Sequence, residues 1–155
     1  MGDTRIYFQS PTNIVILGMA QGEDRVFKGY LLDRKCRNPE ILVDYFMEFD
    51  KKKHTSLFVS HCHTDHIEGL DQEEIYRQIQ GKIRDSKCSL YATSETIAIL
   101  MEKKYLKHLK SEDFTELAVG RSFRFGEGNR TTVQVLPADH CPGSVMLLKN
   151  VPHYS

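Results

Sequence analysis

A short apolar run, Ser56-Leu57-Phe58-Val59-Ser60, leads without a break into His61-Cys62-His63-Thr64-Asp65-His66. That junction constrains the chain more than any other feature. The run reads as a buried strand, and side chains alternate along an extended backbone. His61 and His63 therefore leave the strand end in the same direction. Two imidazoles on one side, with a third ligand from elsewhere, make an open zinc site. Asp65 and His66 are adjacent, so they converge on one ion only where the chain turns, and Ile67-Glu68-Gly69-Leu70 offers such a turn. The segment thus carries two ligand pairs close together, as in two-metal sites with ions ~3.5–4 Å apart. A polar surface loop that happens to hold histidines is the plain alternative. The density of three His and one Asp directly after a buried strand stands against it.

The surrounding pattern is that of a layered α/β fold. Ile14-Val15-Ile16-Leu17, Phe27 to Leu32 and Ile41-Leu42-Val43 are further apolar runs suited to strands covered on both faces. The middle third turns helical. Asp71 with Glu74 resembles a capping box, after which Ile75, Ile79 and Ile83 recur every four residues on one helical face; Gly81 weakens the end of that helix. A strand at Ser89-Leu90-Tyr91 precedes Thr93-Ser94, an N-cap pair. Ile97, Leu100 and Met101 follow at helical spacing, with Leu106 and Leu109 beyond. Strands return at the end: Phe123 and Phe125 alternate with polar residues, as do Val133 and Val135, and Val145 to Leu148 is a last apolar run. The order strands, helices, strands argues for a mixed layered α/β fold.

Composition narrows little else. Lys plus Arg and Asp plus Glu are each 21, a formal net charge of zero, which removes any argument from a strongly basic chain without excluding nucleic acid. No apolar run approaches the ~20 residues of a membrane span, and Met1 to Ser10 lacks the apolar core of a secretory signal. Four scattered cysteines suggest a reducing compartment rather than a disulfide framework. Cys62 and Cys141 read as packing thiols pointing away from the ligands, Cys36 and Cys88 as structural, and His54, His108 and His153 as ordinary surface residues. Lys51-Lys52-Lys53, and Lys103, Lys104, Lys107 and Lys110 along a helix, read as solvated faces, with DNA phosphates the alternative partner.

His61-Cys62-His63-Thr64-Asp65-His66 resembles the HxHxDH motif of the metallo-β-lactamase superfamily. The wider stretch from Leu57 to Leu70 is similar to the β-CASP DNA cross-link repair nucleases of the Artemis and Apollo type. So is Leu136-Pro137-Ala138-Asp139-His140-Cys141-Pro142-Gly143-Ser144-Val145-Met146, whose His-Cys-Pro-Gly-Ser-Val-Met core is distinctive. Ser60-His61-Cys62-His63 and Leu136-Pro137-Ala138 lean toward the Artemis side. The resemblance covers residues 41–148, the N-terminal half of a metallo-β-lactamase-like αββα sandwich. Residues 1–40 match nothing nameable, and 149–155 form a tail.

The resemblance implies the following. His61, His63 and His140 bind one zinc ion, and Asp65 and His66 bind a second. Asp44, in Leu42-Val43-Asp44-Tyr45, supports the ligand loop by hydrogen bonding rather than by ligation; an ordinary turn cap is its plain alternative. The reaction is phosphodiester hydrolysis by water activated at the metals, with Asp65 orienting that water and no side-chain nucleophile. The partners are DNA with single-stranded, overhanging or hairpin ends, and proteins of repair complexes. The location is the nucleus, and no membrane is involved. The roles are 5′–3′ exonuclease or structure-specific endonuclease work, in double-strand break processing or cross-link repair. Two alternatives remain, an RNA-processing β-CASP nuclease or other hydrolase of the fold, and an inactive fragment that acts by binding. The family also needs a bridging Asp in a Thr-Gly-Asp-Phe context and a β-CASP insertion, and neither is in these 155 residues. The expectation is therefore a truncated form that holds at most one zinc weakly, is inactive alone, and leaves one sheet face without its partner.

Overall fold

The computed structural model describes residues 14–17, 41–125 and 131–150 of the chain. Among them, eight strands form two four-stranded sheets. The first is wholly parallel and ordered β2–β3–β4–β5, from Ile41–Val43, Ser56–Phe58, Ser89–Ala92 and Phe114–Glu116. The second is antiparallel and ordered β1–β8–β7–β6, from Ile14–Leu17, Val145–Asn150, Thr131–Pro137 and Ser122–Phe125.

Parallel neighbours need long crossovers, usually helical. Helix α1, Glu73–Arg84, joins β3 to β4, and α2, Ser94–Glu102, lies between β4 and β5. Both pack on the same face of the parallel sheet. There Leu42, Leu57 and Leu90, in register across three strands, meet Tyr76 and Ile79 of α1 and Leu100 of α2, with Ile75, Ile83, Ile97 and Met101 partly buried at the margin. The opposite face presents Ile41, Val43 and Phe58 to Val133, Val135, Val145 and Leu147 of the antiparallel sheet. Phe58 and Tyr91 stack at 4.9 Å within this second core. The strands of the parallel sheet are thus buried on both sides, which is why they are continuous apolar runs rather than alternating ones.

The result is an α/β sandwich of helices, parallel sheet and antiparallel sheet, consistent with a metallo-β-lactamase-like fold. The parallel sheet is covered on both faces, by the helices on one and by the alternating valines of β7 on the other. Leu136, Met146 and Leu148, half-buried, fall on the outer side of the antiparallel sheet. Ile14–Leu17 pairs with β8, so it belongs to this same sheet. Phe27 to Leu32, Cys36 and His153 lie outside the described residues.

Local expectations hold unevenly. Thr93 caps α2, its hydroxyl accepting from the Thr96 N–H at 3.3 Å. Asp71 does not cap α1. Gln72 occupies the N-cap position without a side-chain bond, because the Asp71 carboxylate instead accepts from the Gly69 N–H at 2.9 Å. Gly81 does not end that helix, which runs on to Arg84. The Lys103–Lys110 segment is not a continuation of α2, which stops at Glu102 and gives way to a 3-10 turn at Lys104–Leu106. Two histidines expected at the surface are not there. His54 is buried, its Nδ1 accepting the Asp50 N–H at 2.8 Å. His108 is half-buried against the Tyr76 ring, with Nε2 2.7 Å from the Leu70 carbonyl. No described helix is long and apolar enough to cross a membrane.

Candidate metal centre

Functional groups gather at the carboxyl ends of the parallel strands, where open α/β sheets bind ligands. Asp44 follows β2, Ser60 and His61 follow β3, and Thr93 follows β4. His61 and His63 leave β3 on an extended stretch, and the turn that brings Asp65 and His66 back is a 3-10 turn at Thr64–His66, one step earlier than the sequence suggested. His140 arrives from the other sheet, on the loop between β7 and β8.

The structure brings His61, His63 and His140 together, with one nitrogen of each within 4.8 Å of the others. His140 Nε2 and His63 Nδ1 stand 3.0 Å apart. Two nitrogens on one tetrahedral zinc, at Zn–N of about 2.0–2.1 Å, stand ~3.3 Å apart. The trio therefore fits a single zinc ion by chemistry and spacing. His61 is 1% exposed, whereas His63 opens to solvent. Burial, reinforced by the nearby His66, His63 and His140, pushes the His61 imidazole down to about 3. Burial and His63 likewise lower His140. Neutral imidazole is the form that ligates metal.

Asp65 and His66 form the second pair, with His66 Nε2 3.3 Å from Asp65 Oδ2. The pair abuts the trio, since the His61 and His66 ring centroids are 3.9 Å apart. Asp44, His61 and His66 also come within 4.8 Å of one another, but the oxygens of Asp44 are engaged. Oδ1 accepts from the Ser60 N–H at 2.7 Å, and Oδ2 accepts from the Ser60 hydroxyl at 2.5 Å and from His66 Nδ1 at 2.8 Å. Asp44 adopts φ +60 to do this, a left-handed conformation that Asp tolerates better than most residues. It touches the His66 imidazole and is not a member of the His61, His63 and His140 cluster.

The His140 loop is docked by backbone contacts that motif reading does not reveal. Gly143, at φ +78, lies flat on the start of α2. Its carbonyl accepts from the hydroxyls of Thr93 at 2.8 Å and Thr96 at 3.2 Å. The Val145 N–H donates to the Ser60 carbonyl at 3.0 Å, joining β8 directly to the residue before His61. Ser144 closes the loop by donating its hydroxyl to the Ala138 carbonyl.

Lys103 and Ser60 are contributors that the sequence reading missed. Lys103 Nζ donates to the Cys62 carbonyl at 2.6 Å, between His61 and His63, so it is not part of a solvated helix face. Ser60 had one signal: a hydroxyl ending a buried apolar strand must find partners. Cys62 is buried in the helix-side core with Cys141 packed against it, as packing thiols would be, and Cys88 lies in the same core. Lys51, Lys52 and Lys53 are solvent-exposed.

Helices over a parallel sheet, an antiparallel sheet beneath it, and imidazoles from both sheets at the strand ends define a metallo-β-lactamase-type α/β protein. No family model matches the chain. Curated relatives do. The chain is 32% identical over 117 residues to Protein artemis of Gallus gallus and of Homo sapiens, and 31% identical over 116 residues to that of Mus musculus. Each match takes in 71% of this chain and 16% of the relative. Over this stretch the chain resembles the N-terminal region of the Artemis-type metallo-β-lactamase/β-CASP proteins. It spans about a sixth of the length of these relatives.

Proposed function

We propose that this chain supplies the metal-binding part of a zinc-dependent nuclease that hydrolyses DNA phosphodiesters during repair in the nucleus. The observation that carries the reading is the convergence of His61, His63 and His140 from two different sheets, beside Asp65 and His66 on the next turn. In this reading His61, His63 and His140 hold one zinc and Asp65 and His66 hold a second. The metals, when bound, lower the pKa of water and neutralise phosphate charge. Asp65 is exposed enough to reach that water and orient it. Asp44 fixes the His66 ring from behind. The substrates are DNA with single-stranded, overhanging or hairpin ends, and other repair proteins are the expected company.

In the protein that carries this chain, His61→Ala and Asp65→Ala should each lower cleavage at least ~10²-fold, because each removes a ligand. Products should carry a 5′-phosphate and a 3′-hydroxyl. Near-wild-type cleavage by both variants, or 3′-phosphate products, would refute the assignment. Among the described residues the second ion has Asp65 and His66 alone, too few for tight zinc binding. Metal analysis of this chain should find at most one zinc, lost to mild chelation, and no detectable nuclease activity. Two tightly held zinc ions in a DNA-cleaving chain would overturn that part.

A further inference from the structure

Ser60 lies between the Asp44 carboxylate and the His61 imidazole. Its Oγ is 2.5 Å from Asp44 Oδ2 and 2.9 Å from His61 Nδ1. All three residues are buried, at 6%, 5% and 1% exposure. Water therefore does not compete for these bonds, and each must be satisfied within the protein. An ionised carboxylate only accepts, and a hydroxyl has a single proton to give. The short contact to Asp44 uses that proton. Ser60 Oγ can then meet His61 Nδ1 only as an acceptor, so Nδ1 carries the hydrogen and Nε2 keeps a lone pair. The same Asp44 Oδ2 lies 2.8 Å from His66 Nδ1 and imposes the same tautomer there without an intermediary.

We propose that Ser60 is a positioning residue which relays the Asp44 carboxylate to His61, fixing the tautomer that turns the His61 Nε2 lone pair toward His63 and His140. One carboxylate thereby orients an imidazole in each ligand group, His66 directly and His61 through a hydroxyl. The backbone reinforces the relay. The Ser60 N–H is held by Asp44 Oδ1 at 2.7 Å, and the Ser60 carbonyl is held by Val145 at 3.0 Å. The hydroxyl therefore has a fixed origin. Orienting partners behind a ligand histidine commonly contribute 10–100-fold in metal affinity.

The proposal rests on the metal reading of the trio, but its first test does not. Long-range proton–nitrogen NMR of the histidine rings in the metal-free chain, near neutral pH, distinguishes the two tautomers. The wild-type chain should show His61 and His66 each as a single Nδ1–H form. Ser60→Ala should leave His66 unchanged and turn His61 into a mixture, Ser60→Thr should restore it, and Asp44→Asn should disturb both rings. His61 carrying its hydrogen on Nε2 in the wild type, or a His61 signal indifferent to Ser60→Ala, overturns the relay. Cobalt(II) titration, read by its visible bands, provides the second test. Ser60→Ala should weaken binding about 10-fold or more, with recovery in Ser60→Thr. Equal cobalt affinity in wild type and Ser60→Ala also overturns it. Absence of cobalt binding in every variant refutes the metal centre instead, and the ring spectra then decide the relay alone. Denaturation curves for each variant separate loss of fold from loss of orientation.

Discussion

Gly143→Ala tests whether contact with α2 is what places His140. A Cβ at residue 143 would stand 2.7 Å from Thr93 Oγ1, 2.8 Å from Glu95 Cβ and 2.8 Å from Thr96 N. Thr96 N is helix backbone and cannot swing aside, so the loop must lift. Lifting it sacrifices the Thr93 and Thr96 bonds to the Gly143 carbonyl, at about 1 kcal/mol each. Holding alanine at φ +78 adds ~1–2 kcal/mol. The expected loss is about 3–4 kcal/mol, a large part of the ~5–15 kcal/mol that stabilises a typical domain. Gly120 provides the control. It has φ +81 but nothing within 4 Å of its Cβ position, so Gly120→Ala should cost only the ~1–2 kcal/mol backbone component. Urea denaturation followed by far-ultraviolet circular dichroism measures both, since the chain has no Trp. Cobalt(II) affinity should fall in Gly143→Ala and hold in Gly120→Ala. Equal destabilisation by the two substitutions, with cobalt affinity intact in both, would refute the docking argument.

Three further outcomes follow from the same geometry. Gly81→Ala, in the middle of α1 with open space around it, should stabilise the chain by roughly 0.5–1 kcal/mol in the same denaturation assay. Tyr76→Phe should cost ~1–3 kcal/mol, because the Tyr76 hydroxyl donates to buried Asp113 and accepts the Lys110 N–H at 3.0 Å. Burial, outweighing the pull of Asp50, holds the His54 imidazole below its ordinary 6.5. The native chain therefore takes up this proton at lower pH than the unfolded chain does. The His54 contribution to stability is complete above pH 6.5 and is lost as pH falls through the lower, folded value. His54→Ala should reduce the drop in urea midpoint between pH 7.5 and pH 5, and an unchanged drop would contradict this assignment.

What could be read from the sequence was local. The apolar runs among the described residues became strands, the Ile75–Ile79–Ile83 spacing turned Ile79 into the helix-side core with Ile75 and Ile83 at its margin, and Thr93 became a cap, because each depends on residues a few positions apart. The five ligand candidates were legible for the same reason, being clustered in two short motifs. Strand β5, Phe114–Glu116, was missed because it is an edge strand with Thr115 and Glu116 exposed and shows no alternation. His54 and His108 were misplaced because nothing in a sequence shows that a lone histidine will be covered. The Asp71 cap failed through competition, the Gly69 N–H being an equally near partner. Ser60 reaches Asp44 across 16 residues and Gly143 meets Thr93 across 50. Contacts of that span arise only once the sheets have packed.

The three-histidine cluster is therefore also a gauge of how the two sheets fit. His61 and His63 ride on the parallel sheet and His140 on the antiparallel one, and the faces between them close on Ile41, Val43 and Phe58 against Val133, Val135, Val145 and Leu147. Leu147 is 1% exposed in this interface and two residues beyond the Val145–Ser60 bond. Leu147→Ala should cost ~2–5 kcal/mol through lost transfer energy and a cavity. Its volume change falls between the sheets, so the cavity relaxes by shifting β8 against β3, which changes the separation of His140 from His61. A variant on the helix side, Ile79→Ala, creates a similar cavity at comparable cost but leaves both sheets in place. Cobalt(II) affinity, measured well below the denaturation midpoint, should fall for Leu147→Ala and stay near wild type for Ile79→Ala. Equal affinities in two equally destabilised variants would mean that His140 is positioned by its own loop alone, independent of the sheet interface.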